Sequence, residues 1–470
     1  MASEIRVNKI INRSGLSTVT FTNDGAIVSG IVSATVYTGS GANLTDLPAG
    51  NLSGTLPAIN ASNLTNVPAA NITGTLPAIS GASLTGVTAV GLSTTASLNT
   101  SGIVTATAFA PTIAQFSHRN LLINGEMKIN QRVQTGTLGY FNPVTGSIYT
   151  LDRWKVLNAQ SFDTDSAQVT QDNGAPSSEG FAKSIMMNIG NTETPGANNV
   201  CGFEQKIEAQ DLQHLCYGTS SAKTLTLSFW VYSNKTGTYC VQVEHDDASK
   251  YNMYEYTINS SNTWEKKIIT ISGNTSDVIN EDNGIGLQVN WILCAGSGRH
   301  VAATDSWASG ASYYATSNQV NLWDHADNYF KMTGCQLEVG SVATPYEHRK
   351  LSEELLLCQR YFFNVTGDNG NRPGIPAFAN STSTLRAQVV FPTAMRQLPS
   401  VSGSATNMVF DSSDDSSLFL CSAVTAGGGT TNANPTRMVV EANPGGMTAG
   451  QGGHLEFRAS NGVLNFDAEL

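Results

Sequence analysis

A tandem repeat near the start of the chain limits the folds that its first quarter can adopt. Residues 43–62 read NLTDLPAGNLSGTLPAINAS and residues 63–82 read NLTNVPAANITGTLPAISGA, so twelve of twenty positions are identical. A third copy begins at residues 83–86, and SGIVSATVY at 29–37 returns as SGIVTATAF at 101–109. A period of about 20 residues is typical of structures in which each unit packs only on its neighbours. The repeat therefore predicts an elongated shaft.

The composition of the repeat region indicates how many copies the shaft needs. Residues 1–117 contain six charged side chains, four aromatic ones and no Cys or Trp. One such chain cannot bury enough apolar area to offset its ordering entropy, whereas three chains wound together can. Neither a G-X-Y period nor an apolar heptad occurs, which excludes collagen and a coiled coil. We predict a β-rich homotrimeric shaft. The alternative is a flexible Gly/Ser/Thr linker, against which the regular Leu-Pro-Ala-Ile recurrence argues.

Charge and hydropathy exclude several classes of function. The 470 residues carry a net charge of -11 with only 13% charged residues, and they suffice for two to four domains. Without a basic patch, we expect no nucleic acid as a partner. No run of eighteen apolar residues and no apolar signal core occur. We therefore expect that the chain is synthesised in a cytoplasm and does not insert into a membrane. Low charge with many Gly, Ser, Thr and Asn residues suits an extracellular or virion β-protein.

The cysteine pattern predicts buried thiols rather than a chemical centre. There are seven cysteines, none in the first 200 residues and none in a CxxC pair. Zinc and thioredoxin-type chemistry therefore lack their spacing. We expect reduced thiols that act as small hydrophobic residues. The cysteines are Cys201, Cys216, Cys240, Cys294, Cys335, Cys358 and Cys421.

Residues 118–350 have the pattern of a two-sheet β-sandwich. All six tryptophans occur here, and turn signals separate short alternating strands. In residues 224–232, Leu225, Leu227 and Phe229 share one face, whereas Trp230 and Tyr232 point to the other. Trp291 is in phase with its neighbouring leucines and is predicted to be core. The predicted strands are 224–232, 238–244, 263–272, 286–294 and 330–339.

A helix and further strands follow. Residues 351–362, LSEELLLCQRYF, are predicted to form a short linking helix, because Ser352 followed by two glutamates is a plausible start. Strand patterns return at 384–392 and toward the C-terminus, with glycine-rich loops between them. The predicted fold is therefore mostly β: shaft 1–117, sandwich 118–350, linking helix 351–362 and a second, smaller sandwich 363–470.

Several segments resemble tail-fibre proteins of bacteriophages, especially those that infect cyanobacteria. They include RVNKIINRSGLSTVTFTNDGAIVSGIVSAT near the start and the GANLT repeats. RNLLINGEMKINQR (119–132), YTLDRW (149–154), SFWVYSNKTGTYCV (228–241), TWEKKIITISG (263–273), CQLEVGSVATPYEHR (335–349) and EELLLCQRYF (353–362) resemble a fibre domain similar to jelly-roll carbohydrate-binding modules. The resemblance covers most of the chain up to about residue 362 and is weaker beyond residue 363.

The resemblance implies a function at the virion surface. It implies a homotrimeric tail fibre that docks to phage tail or baseplate proteins through its N-terminal region and recognises a host cell-surface polysaccharide. The chain is then assembled in the host cytoplasm and located in the virion. The alternatives are a capsid or baseplate decoration protein without a receptor role, and a polysaccharide depolymerase.

Aromatic side chains outside the strand core are the candidates for sugar binding. Large aromatics in loops commonly bind a ligand or pack on a partner, and subunit packing is the alternative interpretation. Trp230 and Tyr232 join them because they point off the core face. The glycan-binding candidates are Trp307, Tyr313, Tyr314, Trp323, Tyr329, Trp230 and Tyr232.

Carboxylate clusters are candidates for hydrolysis and for metal binding. A glycosidase needs two carboxylates flanking the bond, and the candidates are Glu244, Asp246 and Asp247, or Asp324 and Asp327. Both groups have the pattern of solvated turns, so we predict no enzymatic activity and no cofactor. The exception to the predicted lack of a cofactor is a structural Ca²⁺ ion, because jelly-roll modules often bind one. Its candidate ligands are His245, Asp246, Asp247 and Asp282.

Overall fold

The computed structural model divides the chain into two compact units, Met1–Val104 and Thr105–Leu470. The structure describes residues 9–11, 18–23, 25–29, 31–33, 35, 36, 38, 118–132, 137–140, 147–159, 167–310, 312–367, 374–404, 407–412, 418–426, 435–457 and 462–470. The tandem repeat at 43–82 and most of the predicted shaft lie outside these described residues. The shaft therefore stays a prediction.

The described part of the first unit is a small antiparallel sheet. Its strands are β1 (Lys9–Ile11), β2 (Thr18–Thr22) and β3 (Gly25–Ser29), in the order β1-β2-β3. Apolar side chains in and after β3 remain in solvent: Ile27 is 61% exposed, Ile31 97% and Val36 76%. Among the described residues of this unit, no second layer covers the sheet, and a small sheet needs such packing for stability in water. These apolar side chains are therefore available for contact with another surface.

The second unit begins with the larger of two sandwiches. One sheet has the strand order β13-β10-β16-β8-β7-β4 and the other has the order β15-β12-β11-β14-β9-β6-β5. The strands are β4 (Thr137–Tyr140), β5 (Ile148–Tyr149), β6 (Lys155–Ala159), β7 (Gln168–Asp172), β8 (Ser184–Asn188), β9 (Val200–Glu208), β10 (Leu225–Ser233), β11 (Gly237–His245), β12 (Lys250–Ile258), β13 (Glu265–Ile271), β14 (Ile285–Ala295), β15 (Thr304–Ser309) and β16 (Tyr329–Val339). Short 3₁₀ helices lie at Ser177–Glu179, Ala209–Leu215, Asp246–Ala248, Ser297–Arg299 and Leu322–Asp324.

Residues that alternate along these strands form one core between the two sheets. Leu225, Leu227 and Phe229 of the six-stranded sheet meet Val241 and Trp291 of the seven-stranded sheet, and all five are fully buried. Burial of each such side chain contributes about 1.5–3 kcal/mol. The predicted sandwich, its strands and the core position of Trp291 are confirmed.

A short helix and a second sandwich complete the unit. The helix α1 spans Leu351–Gln359, so residues 360 and 361 follow it and residue 362 already belongs to a strand. The sheets have the orders β17-β26-β20 and β22-β21-β25-β18-β19-β24-β23, with a separate apolar core. The strands are β17 (Phe362–Gly367), β18 (Ile375–Ala379), β19 (Leu385–Val390), β20 (Ser400–Gly403), β21 (Met408–Ser412), β22 (Leu418–Leu420), β23 (Val424–Ala426), β24 (Arg437–Ala442), β25 (Gly452–Phe457) and β26 (Gly462–Asp467).

Buried ion pairs join the two sandwiches. Glu469, near the C-terminus, contacts Arg153 Nη1 and accepts a hydrogen bond from Arg132 Nη2 at 2.9 Å. Arg360, just after α1, donates to both carboxylate oxygens of Glu208, at 2.9 and 2.5 Å. Glu208 is fully buried and Arg153 is 1% exposed. Because the charges are paired across the junction, the desolvation cost of each is offset by its partner.

Most of the cysteines are buried as reduced thiols, as the sequence predicts. Six of the seven cysteines are buried and none forms a disulfide, whereas Cys216 is exposed. Burial raises the pKa of the Cys335 and Cys358 thiols, which keeps them protonated. Within the described ranges, no helix has the length and apolar character needed to cross a membrane.

Candidate functional site

The outer face of the seven-stranded sheet carries an unusual concentration of polar side chains. Along its central strands, residues such as Val241 and Val243 point into the core, so their neighbours point outward. We call the resulting cluster the polar patch. It consists of Glu204 and Lys206 of β9, Gln242 and Glu244 of β11, and Gln288 and Asn290 of β14.

Strand register arranges the polar patch in two rows. Asn290 lies opposite both Glu204 and Gln242, so these three side chains form one row across β9, β14 and β11. In the same way, Gln288 lies opposite Lys206 and Glu244, which form the second row. Directly paired side chains are about 5 Å apart at Cβ. The patch is therefore a continuous polar layer three strands wide, and all of its side chains except Lys206 are at most 8% exposed.

Hydrogen bonds fix the amides of the patch but leave several oxygens free. Asn290 Nδ2 donates to Gln242 Oε1 at 2.6 Å, and Gln242 Nε2 donates to the Tyr313 carbonyl oxygen at 2.7 Å. The buried acceptors Glu204 Oε1, Glu244 Oε2 and Asn290 Oδ1 have no hydrogen-bond partner. Such buried polar atoms are rare, and each costs about 1–3 kcal/mol when left unpaired. The patch therefore presents an excess of acceptors.

Burial also perturbs the ionisation of the patch. Burial raises the pKa of Glu244 to about 7, with Asp246 and Glu204 adding to the effect and Gln288 and Lys206 opposing it. Burial lowers the pKa of Lys206, although the Glu204 carboxylate counteracts this. The Lys155 and Lys206 ammonium groups lie 3.5 and 3.8 Å from Glu204 Oε1. Glu244 is therefore the titratable end of the patch, and Glu204 is the end that two lysines approach.

Tyrosines border the patch on two sides. Burial, together with Glu244 and Glu204, raises the pKa of Tyr314 to about 12, and its side chain packs against the cluster that contains Cys240 and Ile292, next to the patch. On the opposite side, Tyr149 lies 5.5 Å from the Lys155 ammonium group and donates to the Leu470 backbone oxygen at 2.7 Å. A polar surface between two tyrosines suits a saccharide, whose rings have apolar faces and hydroxyl edges.

The segment that contains Tyr313 and Tyr314 crosses the same sheet face. Tyr313 is 38% exposed, and its ring centroid lies 6.0 Å from that of Tyr251. Beyond this segment, a groove of about 550 Å³ is lined by Glu255, His300, Val301, Ala302, Ala303, Thr316, Ser317 and Asn318. Tyr313 and Tyr314 are the two sequence-predicted residues that the structure places beside the polar patch.

The other predicted aromatics lie elsewhere. Trp323 is 1% exposed and belongs to the sandwich core, so its ring faces are in contact with protein. Trp307 is half-buried, donates from Nε1 to the Ser272 carbonyl oxygen at 2.8 Å and packs edge-on against Tyr217 and His245. Trp230, Tyr232 and Tyr329 come together on the outer face of the opposite sheet.

Three of the acidic candidates for catalysis or calcium binding, Asp247, Asp282 and Asp324, have protein partners. Asp247 accepts hydrogen bonds from the Asn280 backbone and side chain at 2.9 and 2.6 Å, and Asp282 caps Gly284 N at 2.8 Å. His245 is fully buried beside Asn274. Asp324 pairs with Lys235. Among the described residues, no group of three or more His, Cys, Asp or Glu side chains is arranged to hold a metal ion. These residues do not fit a calcium site.

The polar patch itself was missed from the sequence, apart from Glu244. Gln242, Gln288 and Asn290 occupy long, otherwise apolar strands, and they look like ordinary solvent-facing residues. Sequence alone did not show that β9, β14 and β11 are neighbours.

Comparisons with known proteins show only distant structural likeness. No protein-family model and no curated protein sequence matches the chain. The tailspike protein 4 enzymatically active domain of bacteriophage CBA120 is 12% identical with a TM-score of 0.25, over 47% of this chain and 21% of that chain. TmCBM61 in complex with β-1,4-galactotriose is 13% identical with a TM-score of 0.24, over 47% and 99% of the two chains. A CBM4 structure is 14% identical with a TM-score of 0.25, over 46% and 98%. Each TM-score lies below 0.5, so these likenesses say nothing further about what this chain binds.

Proposed function

We propose that the chain is a carbohydrate-binding subunit, and that the polar patch holds the sugar. The observation that carries the proposal is a set of three buried acceptor oxygens, on Glu204, Glu244 and Asn290, that form no hydrogen bond within the protein, although Lys155 and Lys206 lie at ion-pair distance from Glu204 Oε1. Sugar hydroxyl groups are donors of the required kind, and they point outward from the ring in several directions. Binding would pair these acceptors and recover their desolvation cost.

Donors for the sugar's own oxygens stand at the rim of the patch. Lys206 and Lys155 are positively charged neighbours of Glu204, and Tyr314 supplies a hydroxyl group. The ring face of Tyr313 offers apolar contact to the sugar ring, whereas Arg132 and Lys155 lie over the Tyr149 ring. Three or four net hydrogen bonds of about 1 kcal/mol each, with this contact, correspond to a dissociation constant near 1 mM.

We further propose that this binding serves a phage tail fibre in the virion. The resemblance of the segments between residues 119 and 362 supports this, as does the exposure of Ile27, Ile31 and Val36 in the first unit. Three copies would cover those apolar side chains, and the N-terminal region would dock to tail or baseplate proteins. A trimer also converts a weak site into firm attachment, because linked sites raise avidity by about 10²–10⁴.

We propose binding without hydrolysis. Glu204 and Glu244 lie on strands separated by β14 and in different rows, so their Cα atoms are about 12 Å apart. Asn290 and Gln288 occupy the space between them. A hydrolase is the second candidate function, and the raised pKa of Glu244 favours it, because a general acid must be protonated at neutral pH.

A polysaccharide array tests the proposal. The full-length chain is applied to printed bacterial surface polysaccharides, and calorimetric titration follows for each polysaccharide bound. Asn290→Ala and Tyr314→Phe should weaken binding at least tenfold, and Tyr314→Phe should do so without a change in melting temperature. Asn465→Ala, on a half-buried position of β26, is the matched control.

The outcomes separate the candidate functions. Equal affinity of Asn290→Ala, Tyr314→Phe and the unmodified chain would refute the polar patch. Absence of binding to every polysaccharide would favour a structural decoration protein of the virion. New reducing ends after incubation with a bound polysaccharide, lost in Glu244→Gln, would show that the chain is a hydrolase.

A further inference from the structure

A second aromatic surface lies on the opposite side of the sandwich from the polar patch. On β10, Phe229 and Val231 point into the core, so Trp230 and Tyr232 point outward. Trp264 and Tyr329 reach the same face from the start of β13 and of β16. We call these four half-buried rings the aromatic platform: Trp230, Tyr232, Trp264 and Tyr329.

Three rings of the platform, those of Tyr232, Trp264 and Tyr329, hold one another in place. The ring centroids of Tyr232 and Trp264 are 5.3 Å apart, and those of Tyr232 and Tyr329 are 6.0 Å apart with an interplanar angle of 23°. Tyr329 Oη donates to Asn262 Oδ1 at 2.5 Å. Rings fixed in this way lose little conformational entropy when a ligand binds, which favours affinity.

A local irregularity of the sheet shapes the platform. The register between β10 and β16 shifts between Ser228 and Trp230, and nearby Gly334 has φ of 61°. A Cβ atom on Gly334 would stand 2.6 Å from the Phe181 ring, so a larger residue does not fit. Such bulges redirect neighbouring side chains. Here the extra residue lies in β16, so the bulge sets how Lys331 aligns with Tyr232, whereas β10 itself keeps a regular register with β13 through Trp230.

The lysine that lies beside two rings of the platform is paired with an acidic side chain, whereas Lys266, opposite Trp230, is exposed. The Lys331 ammonium group lies 5.5 Å from the Tyr232 ring centroid and 5.9 Å from that of Tyr329. It also pairs with Asp172 Oδ2 at 2.7 Å. The platform therefore combines ring faces with an amide at Asn262 and a neutral ion pair. This combination matches an uncharged sugar, which has an apolar ring face and hydroxyl groups around its edge.

We propose that the aromatic platform is a second saccharide-binding surface, which takes an uncharged pyranose ring. The proposal rests on the proposed function that the chain binds glycans, and it adds a site on the other sheet. Two sites on opposite faces of one sandwich can engage two polysaccharide strands, or two stretches of one strand. In a multivalent particle, the second site multiplies avidity even when each contact is weak.

Residue-resolved fluorine NMR tests the platform directly. The full-length chain is labelled with 5-fluorotryptophan, which gives one signal for each of its six tryptophans. Methyl β-glucopyranoside, methyl β-galactopyranoside and the two corresponding uronides are titrated to 50 mM. The Trp230 and Trp264 signals should shift saturably with the uncharged sugars, whereas those of the buried Trp154, Trp291 and Trp323 should not.

Variants separate the platform from the polar patch. Tyr232→Ala should weaken the response of Trp264 at least tenfold, whereas Asn290→Ala in the patch should leave it unchanged. Lys266→Ala, next to Trp230 on β13, is the control and should also leave it unchanged. Loss of the platform response in Asn290→Ala would mean that there is a single site.

Three further results would overturn the proposal. The first is no saturable shift of Trp230 or Trp264 with any of the four sugars. The second is a response to uronides alone that is lost in Lys266→Ala, because the ligand would then be charged. The third is a change in solution mass of Tyr232→Ala without a change in sugar response, because the platform would then be an interface between copies. If the polar patch does not bind sugar but the Trp230 and Trp264 signals still respond, only the proposal for the patch is refuted.

Discussion

Replacing Glu244 with Gln should stabilise the chain at pH 8 and have little effect near pH 4.5. Glu244 is 6% exposed, and burial raises its pKa from 4.5 to about 7. Between these pH values the carboxyl remains protonated in the folded chain and ionises in the unfolded one. The folded state therefore binds more protons, and the free energy of unfolding falls as the pH rises.

The size of the effect follows from the two pKa values. Their difference, at 1.36 kcal/mol per pKa unit, corresponds to about 3 kcal/mol. This contribution is fully present below pH 4.5 and is lost as the pH rises through about 7. A Gln side chain cannot ionise, so Glu244→Gln avoids the loss. For a sandwich of this size, the variant should melt roughly 6–12 °C higher than the unmodified chain at pH 8.

Scanning calorimetry of both chains at pH 5, 6, 7 and 8 measures this difference. Glu265→Gln is the matched control, because hydrogen bonds from Lys267, Ser260 and Asn259 outweigh burial and lower the pKa of Glu265 to about 2. Glu265 is therefore fully ionised throughout this pH range. Its replacement should destabilise the folded chain by an amount that does not depend on pH. A difference between Glu244→Gln and the unmodified chain that does not grow with pH would refute the reasoning.

Two further predictions concern assembly and the junction of the sandwiches. Light scattering behind size exclusion should give a mass near three times 49.7 kDa, with elution at an elongated volume; a compact monomer would contradict the trimer. Glu469→Gln should lower the melting temperature in calorimetry, because it leaves Arg153 buried without a carboxylate partner and leaves Arg132 paired with Asp467 alone, at a cost of about 3–5 kcal/mol. An unchanged melting temperature would show that the junction does not depend on these pairs.

Much of the first sandwich could be predicted because its signal is local. In β10, β11 and β14, apolar side chains recur at every second position, and this period alone assigns Leu227, Val241 and Trp291 to the core. The same period correctly pointed Trp230 and Tyr232 to the outer face. The end of the helix was harder to predict. Residues 360–362 continue an apolar pattern, but Arg360 turns to pair with Glu208 and the next strand begins at Phe362.

The candidate sites required information that is not local. Glu204, Asn290 and Gln242 are far apart in the sequence, and they meet because β14 lies between β9 and β11. Trp264 joins Tyr232 for the same kind of reason, since β13 pairs with β10 at the edge of the other sheet. Neither strand order can be deduced from alternation, because every pairing preserves the two-residue period.

The amino-acid sequence by itself determined which side chains point inward and which point outward, because a strand alternates its faces regardless of its neighbours. It also determined the low charge, the acidic balance and the tandem repeat. Only the tertiary structure decided that one outer face is polar with unpaired acceptors and the other is aromatic with a neutral ion pair. Those properties depend on strand order, register and burial, which arise from pairings between distant parts of the chain.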